Sequence, residues 1–101
     1  MNINPFDLLK NASAFQEQFA RMQERLASET ATGSSGGGIV AVTLNGRFEL
    51  VSVRLDPVAV DGRDIPMLQD LIVAAHADAV ERIKELLKDR LGPMAGGFPA
   101  L

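Results

Sequence analysis

Several chemically reactive residue types are missing from this chain of 101 residues or occur only once. It contains no cysteine, no tryptophan and no tyrosine, and its single histidine is His76. The missing cysteines exclude disulfides, thiolate zinc sites and cysteine nucleophiles. One imidazole leaves little scope for histidine-based acid–base catalysis. Hydrophobic residues make up 47% and charged residues 23% of the chain, as in ordinary globular proteins, so we expect it to fold.

Chain length and charge set further limits. A chain of 101 residues suits one domain with a modest core, which a partner chain would extend. Ten basic and 13 acidic residues give a net charge of −3, which on its face argues against binding to nucleic acid. The N-terminus lacks the pattern of a signal peptide, and no apolar run approaches the length of a membrane span. We therefore expect a cytoplasmic protein with no membrane partner.

Residues 5–28 are predicted to form a long helix that projects as an arm. Asn4 suits the N-cap and Pro5 the first turn. The apolar residues are spaced alternately by four and three positions, as in the seam of a coiled coil; they are Leu8, Ala12, Phe15, Phe19, Met22 and Leu26. The rest of the helix surface is mainly polar, so this narrow stripe favours contact with another helix.

Residues 29–56 are predicted to form an antiparallel sheet. Residues 30–32 are compatible with a short strand, and the glycine-rich segment 33–38 reads as a mobile loop. Two alternating strands then flank Asn45 and Gly46, a strong hairpin signal.

The register of this hairpin follows from its loop. If residues 45–48 form a four-residue loop, Val42 faces Val51 and Val40 faces Val53. All four valines then share one apolar face, which needs a cover.

Residues 65–91 are predicted to form the second helix. Asp64 is the expected N-cap, and Gly92 with Pro93 ends the helix. Its broad apolar face suits the sheet and consists of Leu68, Leu71, Ile72, Ala75, Ala79, Ile83, Leu86 and Leu87. Residues 92–101 read as a flexible tail. The fold class is therefore α+β, with the order α-β-β-α, or α-β-β-β-α if the short strand forms.

Catalytic and metal sites find little support. His76 has no ligand partner three or four residues away on its helix. Asp56, Asp61 and Asp64 are explained by strand termination and helix capping. The glycine run lacks the lysine and hydroxyl residue of a phosphate-binding loop and precedes a strand. We predict no catalytic residue, no metal, no cofactor and no small-molecule substrate.

The positions of the basic residues are more informative than their number. Lys10, Arg21 and Arg25 lie on the first helix. The second helix carries Arg82, Lys84, Lys88 and Arg90, so residues 82–90 hold four basic against two acidic side chains. Solubility and the helix macrodipole are one explanation for this cluster, and contacts to phosphate are the other.

Four segments in order resemble the YbaB/EbfC family of bacterial nucleoid-associated proteins: GGGIVAVTLNG (36–46), ELVSVRLDP (49–57), LQDLIVAAHADAVERIKE (68–85) and LGPMAGG (91–97). The resemblance spans nearly the whole chain. It implies a tweezer-like cytoplasmic homodimer of α-β-β-β-α protomers that binds DNA with little sequence demand and affects nucleoid organisation and gene expression. Phe48 departs from the pattern, because the family commonly has glycine there.

The expected function is therefore a non-enzymatic, nucleoid-located homodimer that binds double-stranded DNA. The predicted phosphate contacts are Arg21, Arg25, Lys84, Lys88 and Arg90, followed by Lys10 and Arg82. The predicted dimer interface comprises Val40, Val42, Val51, Val53, Leu71 and Ala75. The alternative is a homodimeric protein-interaction module, such as a chaperone or adaptor, that uses the heptad stripe of the first helix.

Overall fold

A computed structural model describes residues 4–91 of the chain. Helix α1 (Pro5–Ser28) is followed by the strands β1 (Thr30–Ser35), β2 (Val40–Asn45) and β3 (Leu50–Leu55), a 3₁₀ turn (Pro57–Ala59) and helix α2 (Ile65–Leu91). The order α-β-β-β-α is confirmed, including the short first strand. The prediction of a flexible tail at 92–101 falls outside the described residues.

The three strands form one antiparallel sheet in the order β1-β2-β3. Strand β1 runs through Gly33 to Ser35, so the predicted loop at 33–38 was wrong at its start; the turn begins at Gly36. Ser34 pairs with Ala41 across the ladder, which keeps this part of the glycine-rich segment extended.

The hairpin register also differs from the prediction. Val42 pairs with Val53 rather than Val51, and Val40 pairs with Leu55 rather than Val53. The register differs by two residues. Leu44 pairs with Leu50, so the connection is one residue longer than predicted, and a bulge next to Leu44 gives β3 one further residue.

Helix α2 lies across β1 and β2 and leaves β3 uncovered. The core consists of Val40, Val42, Leu44, Ala59, Ala75, Ala79, Ile83 and Leu87. All six residues of β3 are exposed in the protomer. The apolar side of the sheet is therefore only partly buried by its own helix.

Strand β1 and helix α2 touch at backbone distance. A Cβ atom on Gly33 would lie 2.1 Å from the Ala79 nitrogen and 2.6 Å from the Ala75 carbonyl oxygen. Only glycine fits this approach, and only alanine is present opposite it on the helix.

A carboxylate fastens the same strand to the helix from the side. The backbone N–H of Ser34 donates to Asp78 Oδ2 at 2.9 Å, and Arg82 Nε donates to the same oxygen at 3.1 Å. The Ser34 N–H first, and Arg82 second, lower the pKa of Asp78 below its usual value.

The hairpin loop holds the end of the arm. No residue of α1 is buried in the protomer, and the molecule measures 72 × 23 × 18 Å. At the C-terminal end of α1, the carbonyl oxygens of Leu26 and Glu29 accept the Gly46 N–H at 2.8 and 2.9 Å. A Cβ atom at Gly46 would lie 2.5 Å from the Leu26 oxygen, so this contact also requires glycine.

Gly33→Ala is expected to destabilise the fold by on the order of 3 kcal/mol, because the new methyl group overlaps the α2 backbone. Urea unfolding followed by circular dichroism measures the change. Gly62→Ala is the matched control, since nothing lies within 4 Å of a Cβ atom there and its φ is not positive. Equal unfolding midpoints for the two variants would contradict the packing described.

Asp78→Asn is expected to remove part of the acid sensitivity of the fold. Because the pKa of Asp78 is lowered in the folded state, its contribution is present above the unfolded pKa of about 4 and disappears as the pH falls through the folded value. Urea midpoints measured from pH 7 down to pH 3 should therefore fall less steeply for the variant. An unchanged slope would show that this carboxylate does not stabilise the strand–helix contact through its charge.

Candidate nucleic-acid interface

A cleft of about 540 Å³ lies where the base of α1 meets the end of α2. Its lining residues are Gln18, Arg21, Met22, Arg25, Leu26, Glu29, Leu87 and Arg90. Leu87 is buried and Met22 and Leu26 are half-buried, so they form an apolar floor. The guanidinium groups stand around this floor on exposed positions of the two helices.

The balance of charge at the cleft is positive, with three arginines against one glutamate among the lining residues. Arg90 Nε lies 3.7 Å from Glu29 Oε2, and Arg21 Nη2 lies 3.8 Å from Glu17 Oε2 on an open helix surface. Exposed pairs at such distances hold their side chains weakly, so both arginines remain available to an external anion.

Helix geometry explains how the arginines meet. Arg21 and Arg25 are four residues apart on α1 and therefore share one helix face. Arg90 arrives from the last turn of α2. Because the C-terminal ends of both helices converge here, the cations also complement the two helix dipoles.

The structure separates the seven predicted basic residues into two groups. It brings Arg21, Arg25 and Arg90 to the cleft. The other four do not line it. Arg82 Nε lies 3.1 Å from Asp78 Oδ2, and Lys84 Nζ lies 3.9 Å from Glu81 Oε1. Lys88 is exposed near the end of α2. Lys10 lies about 16 Å farther along the arm than Arg21.

Besides the three apolar floor residues, two polar lining residues of the cleft were not among the predicted contacts, namely Gln18 and Glu29. Gln18 lies seven residues before Arg25 on the same face of α1, so helical periodicity was sufficient to find it. Glu29 reaches Arg90 only through the folding of the chain, and no local pattern signals that contact.

Burial in the protomer divides the six predicted interface residues into two groups. Val40, Val42 and Ala75 are no more than 1% exposed and pack in the protomer core, because α2 covers β1 and β2. Their own exposed surface is very small, so they contribute little contact area to a partner chain. Val51 and Val53 are 55% and 42% exposed, and Leu71 is half-buried. The interface as a whole stays a prediction.

An apolar groove of about 230 Å³ runs between β3 and α2. Its lining residues are Val42, Leu50, Val53, Ile72, Val73 and His76. Leu50 was not among the predicted interface residues, although it is 58% exposed at the start of an uncovered strand.

The predicted capping aspartates behave as expected. Asp56 accepts the Val58 N–H at 3.0 Å, and Asp64 accepts the Met67 N–H at 3.1 Å. Within residues 4–91, no three histidine, aspartate or glutamate side chains group so that they could hold a metal ion. Neither helix, in the part of the chain that the structure describes, has a stretch long and apolar enough to cross a membrane.

Comparisons with known proteins give one consistent result. The family model of the YbaB/EbfC DNA-binding family matches residues 1–98. A "nucleoid-associated protein" of Mycolicibacterium vanbaalenii is 49% identical over 94 residues, which are 93% of this chain and 86% of that protein. Its counterpart in Syntrophobacter fumaroxidans is 48% identical over 93 residues, or 92% and 84% of the two chains.

The fold itself matches a solved structure. The crystal structure of an uncharacterised protein from Helicobacter pylori aligns with a TM-score of 0.67 at 24% identity, covering 93% of this chain and 99% of that one.

The family is one of DNA-binding proteins, so this chain is a binding protein and not an enzyme. On the match over residues 1–98 and the relatives at 48–49% identity, the chain belongs to the YbaB/EbfC DNA-binding family.

Proposed function

We propose that this protein is nucleoid-associated and binds double-stranded DNA with low sequence specificity, through contacts from arginines to the phosphate backbone. The observation that carries the proposal is the open cleft lined by Arg21, Arg25 and Arg90 at the junction of arm and body. As a homodimer that presents two such clefts, the protein contributes to the organisation of the nucleoid and to the regulation of gene expression.

The chemistry of the cleft favours phosphate over bases. Arginine donates two parallel hydrogen bonds to a phosphate and keeps its charge at every physiological pH. The chain has no tyrosine or tryptophan, and no phenylalanine lines the cleft, so base stacking has no platform there. Phosphate contacts fix the position of a protein on the duplex but carry no sequence information.

The acidic total of the chain is compatible with this role because charge acts locally. The three cleft arginines have two glutamates close by, Glu29 in the lining and Glu17 beside Arg21, whereas other carboxylates, such as those of the 61–64 loop, lie elsewhere. Salt screens exposed charges beyond about 8 Å, so distant acids weaken the cleft only slightly. Binding is then weak for each protomer and falls steeply with salt.

A second copy of the chain is the partner that best fits the uncovered strand β3. Leu50, Val51 and Val53 are 42–58% exposed there, beside the apolar groove next to α2. A protomer of this size gains much from covering such a face. Dimerisation also doubles the number of clefts, and linked sites bind DNA more tightly than either site alone.

Replacing all three cleft arginines, as Arg21→Gln, Arg25→Gln and Arg90→Gln, is expected to weaken duplex binding at least tenfold. The salt dependence should flatten as well, since each lost phosphate contact removes about 0.9 from the slope of log K against log salt. Fluorescence anisotropy with two unrelated duplexes at several salt concentrations measures both effects.

Two controls give this experiment its specificity. Arg63→Gln removes an arginine that is more exposed than Arg21 and Arg90 and pairs with Asp61 at 3.1 Å, away from the cleft; it should leave binding unchanged. Lys84→Gln with Lys88→Gln tests the other predicted contacts and should cost less than the cleft triple. If the variant with all three cleft arginines replaced bound duplex DNA as tightly as the parent, the proposed site would be refuted. If the parent protein itself did not bind duplex DNA at low salt, the proposed function would be refuted.

Leu50→Lys combined with Val53→Lys is expected to convert the dimer to a monomer, because two charges would be buried in the sheet-edge interface. Ser52→Lys is the control, since Ser52 lies between them and pairs with Thr43 on the opposite, polar face of the sheet. Sedimentation equilibrium reports the mass. A dimer that persists in the double variant would place the interface elsewhere.

A further inference from the structure

The arm carries an apolar stripe that no other part of residues 4–91 covers. Phe15 is 68%, Leu8 56% and Phe19 49% exposed, and no residue of α1 is buried. A soluble helix does not usually leave two phenylalanines of one seam in water. The cleft uses only the base of α1, so its arginines do not account for this stripe.

We propose that the arm segments 8–19 of two copies pair side by side and antiparallel, as a short two-helix coiled coil. This contact is a second self-association surface, separate from strand β3 and from the cleft. The occupant of the stripe is thus the same stripe on another copy, related by a two-fold axis.

The sizes of the seam residues select the antiparallel arrangement. With the axis between residues 13 and 14, Ala12 faces Phe15 of the second copy, and Leu8 faces its Phe19. Each layer then sets a smaller side chain against a larger one. Parallel pairing would instead set Ala12 against Ala12 and Phe15 against Phe15, leaving a gap beside an overfilled layer.

Two identical helices repel each other if charged residues flank their seam, but the flanking residues of this arm segment are uncharged. Between residues 8 and 19 the flanking positions hold Leu9, Asn11, Gln16 and Gln18, none of which is charged. Lys10 and Glu17 lie on the face opposite the seam. Like segments therefore meet without repulsion, and antiparallel helices also align their dipoles favourably.

The arrangement leaves the rest of the molecule free. Arg21 and Arg25 lie beyond the paired segment. The two Leu26 residues, at the arm bases, are separated by about 38 Å along the helix axis. Both bodies, with their clefts and β3 edges, therefore stand at opposite ends of the pair. Four seam residues per arm bury well under about 1,200 Å², so the pairing is weak and depends on protein concentration.

Sedimentation equilibrium of the full chain over a wide concentration range tests the pairing. The parent is expected to show an association beyond the dimer that Phe15→Gln with Phe19→Gln weakens at least tenfold, while the circular dichroism spectrum and the urea midpoint stay unchanged. Ser13→Gln with Ala20→Gln is the matched control on an off-seam face and should behave as the parent. Equal association constants for the two double variants would overturn the proposal.

Distance measurements test the orientation. The chain has no cysteine, so spin labels attach only at introduced sites such as Glu17→Cys or Glu24→Cys, both on the face opposite the seam. Antiparallel arms separate the two labels along the axis by about 10 Å at position 17 and about 30 Å at position 24. Similar distances at both sites would refute this arrangement. Distances that persist in the Phe15→Gln, Phe19→Gln background belong to the β3 dimer.

These outcomes are independent of the proposed DNA binding, because no nucleic acid is present. If the Phe15→Gln, Phe19→Gln variant fell to a monomer, the arm pairing would stand and the β3 dimer would fail. If it remained a dimer with the parent's higher-order association, the arm pairing would fail and the β3 dimer would stand.

Discussion

The close contact of Gly33 with the backbone of α2 determines much of this architecture. Because strand and helix approach without a side chain between them, the helix contributes small residues, Ala75 and Ala79, at the crossing. The large buried side chains come instead from β2 and from farther along α2. A helix seated so near β1 does not reach β3. The uncovered strand and the proposed dimer both follow from this placement.

The arm and the cleft divide the electrostatic and apolar functions of the molecule. Apolar side chains occupy the outer seam of α1, whereas guanidinium groups occupy its base, where the carbonyl ends of two helices meet. A net charge of −3 describes neither region. The proposed binding of a duplex depends on the potential at the cleft, and the proposed arm pairing depends on the size and neutrality of the seam residues.

Local patterns predicted the elements, because capping residues and apolar periodicity act within a few positions. Asn4, Pro5 and the stripe gave the observed bounds of α1, and Asp64 gave the start of α2. The hairpin register was not predictable this way, since the connection is one residue longer than the turn signal indicated and the bulge beside Leu44 adds a second residue to β3. The burial of Val40 and Val42 depended on where α2 lies, and the meeting of Arg90 with Arg25 depended on the whole fold.

The Gly46 N–H binds the carbonyl oxygens of Leu26 and Glu29, and the Leu26 side chain packs against the core beside this contact, so the arm is held only at its base. Side chains farther out on α1 take no part in that joint. The arm can therefore exchange its outer residues, or gain and lose turns, while it leaves the body in the same direction. The direction of the arm is therefore set separately from its length and from its surface residues. Evolution can change the length and the surface residues without changing the direction.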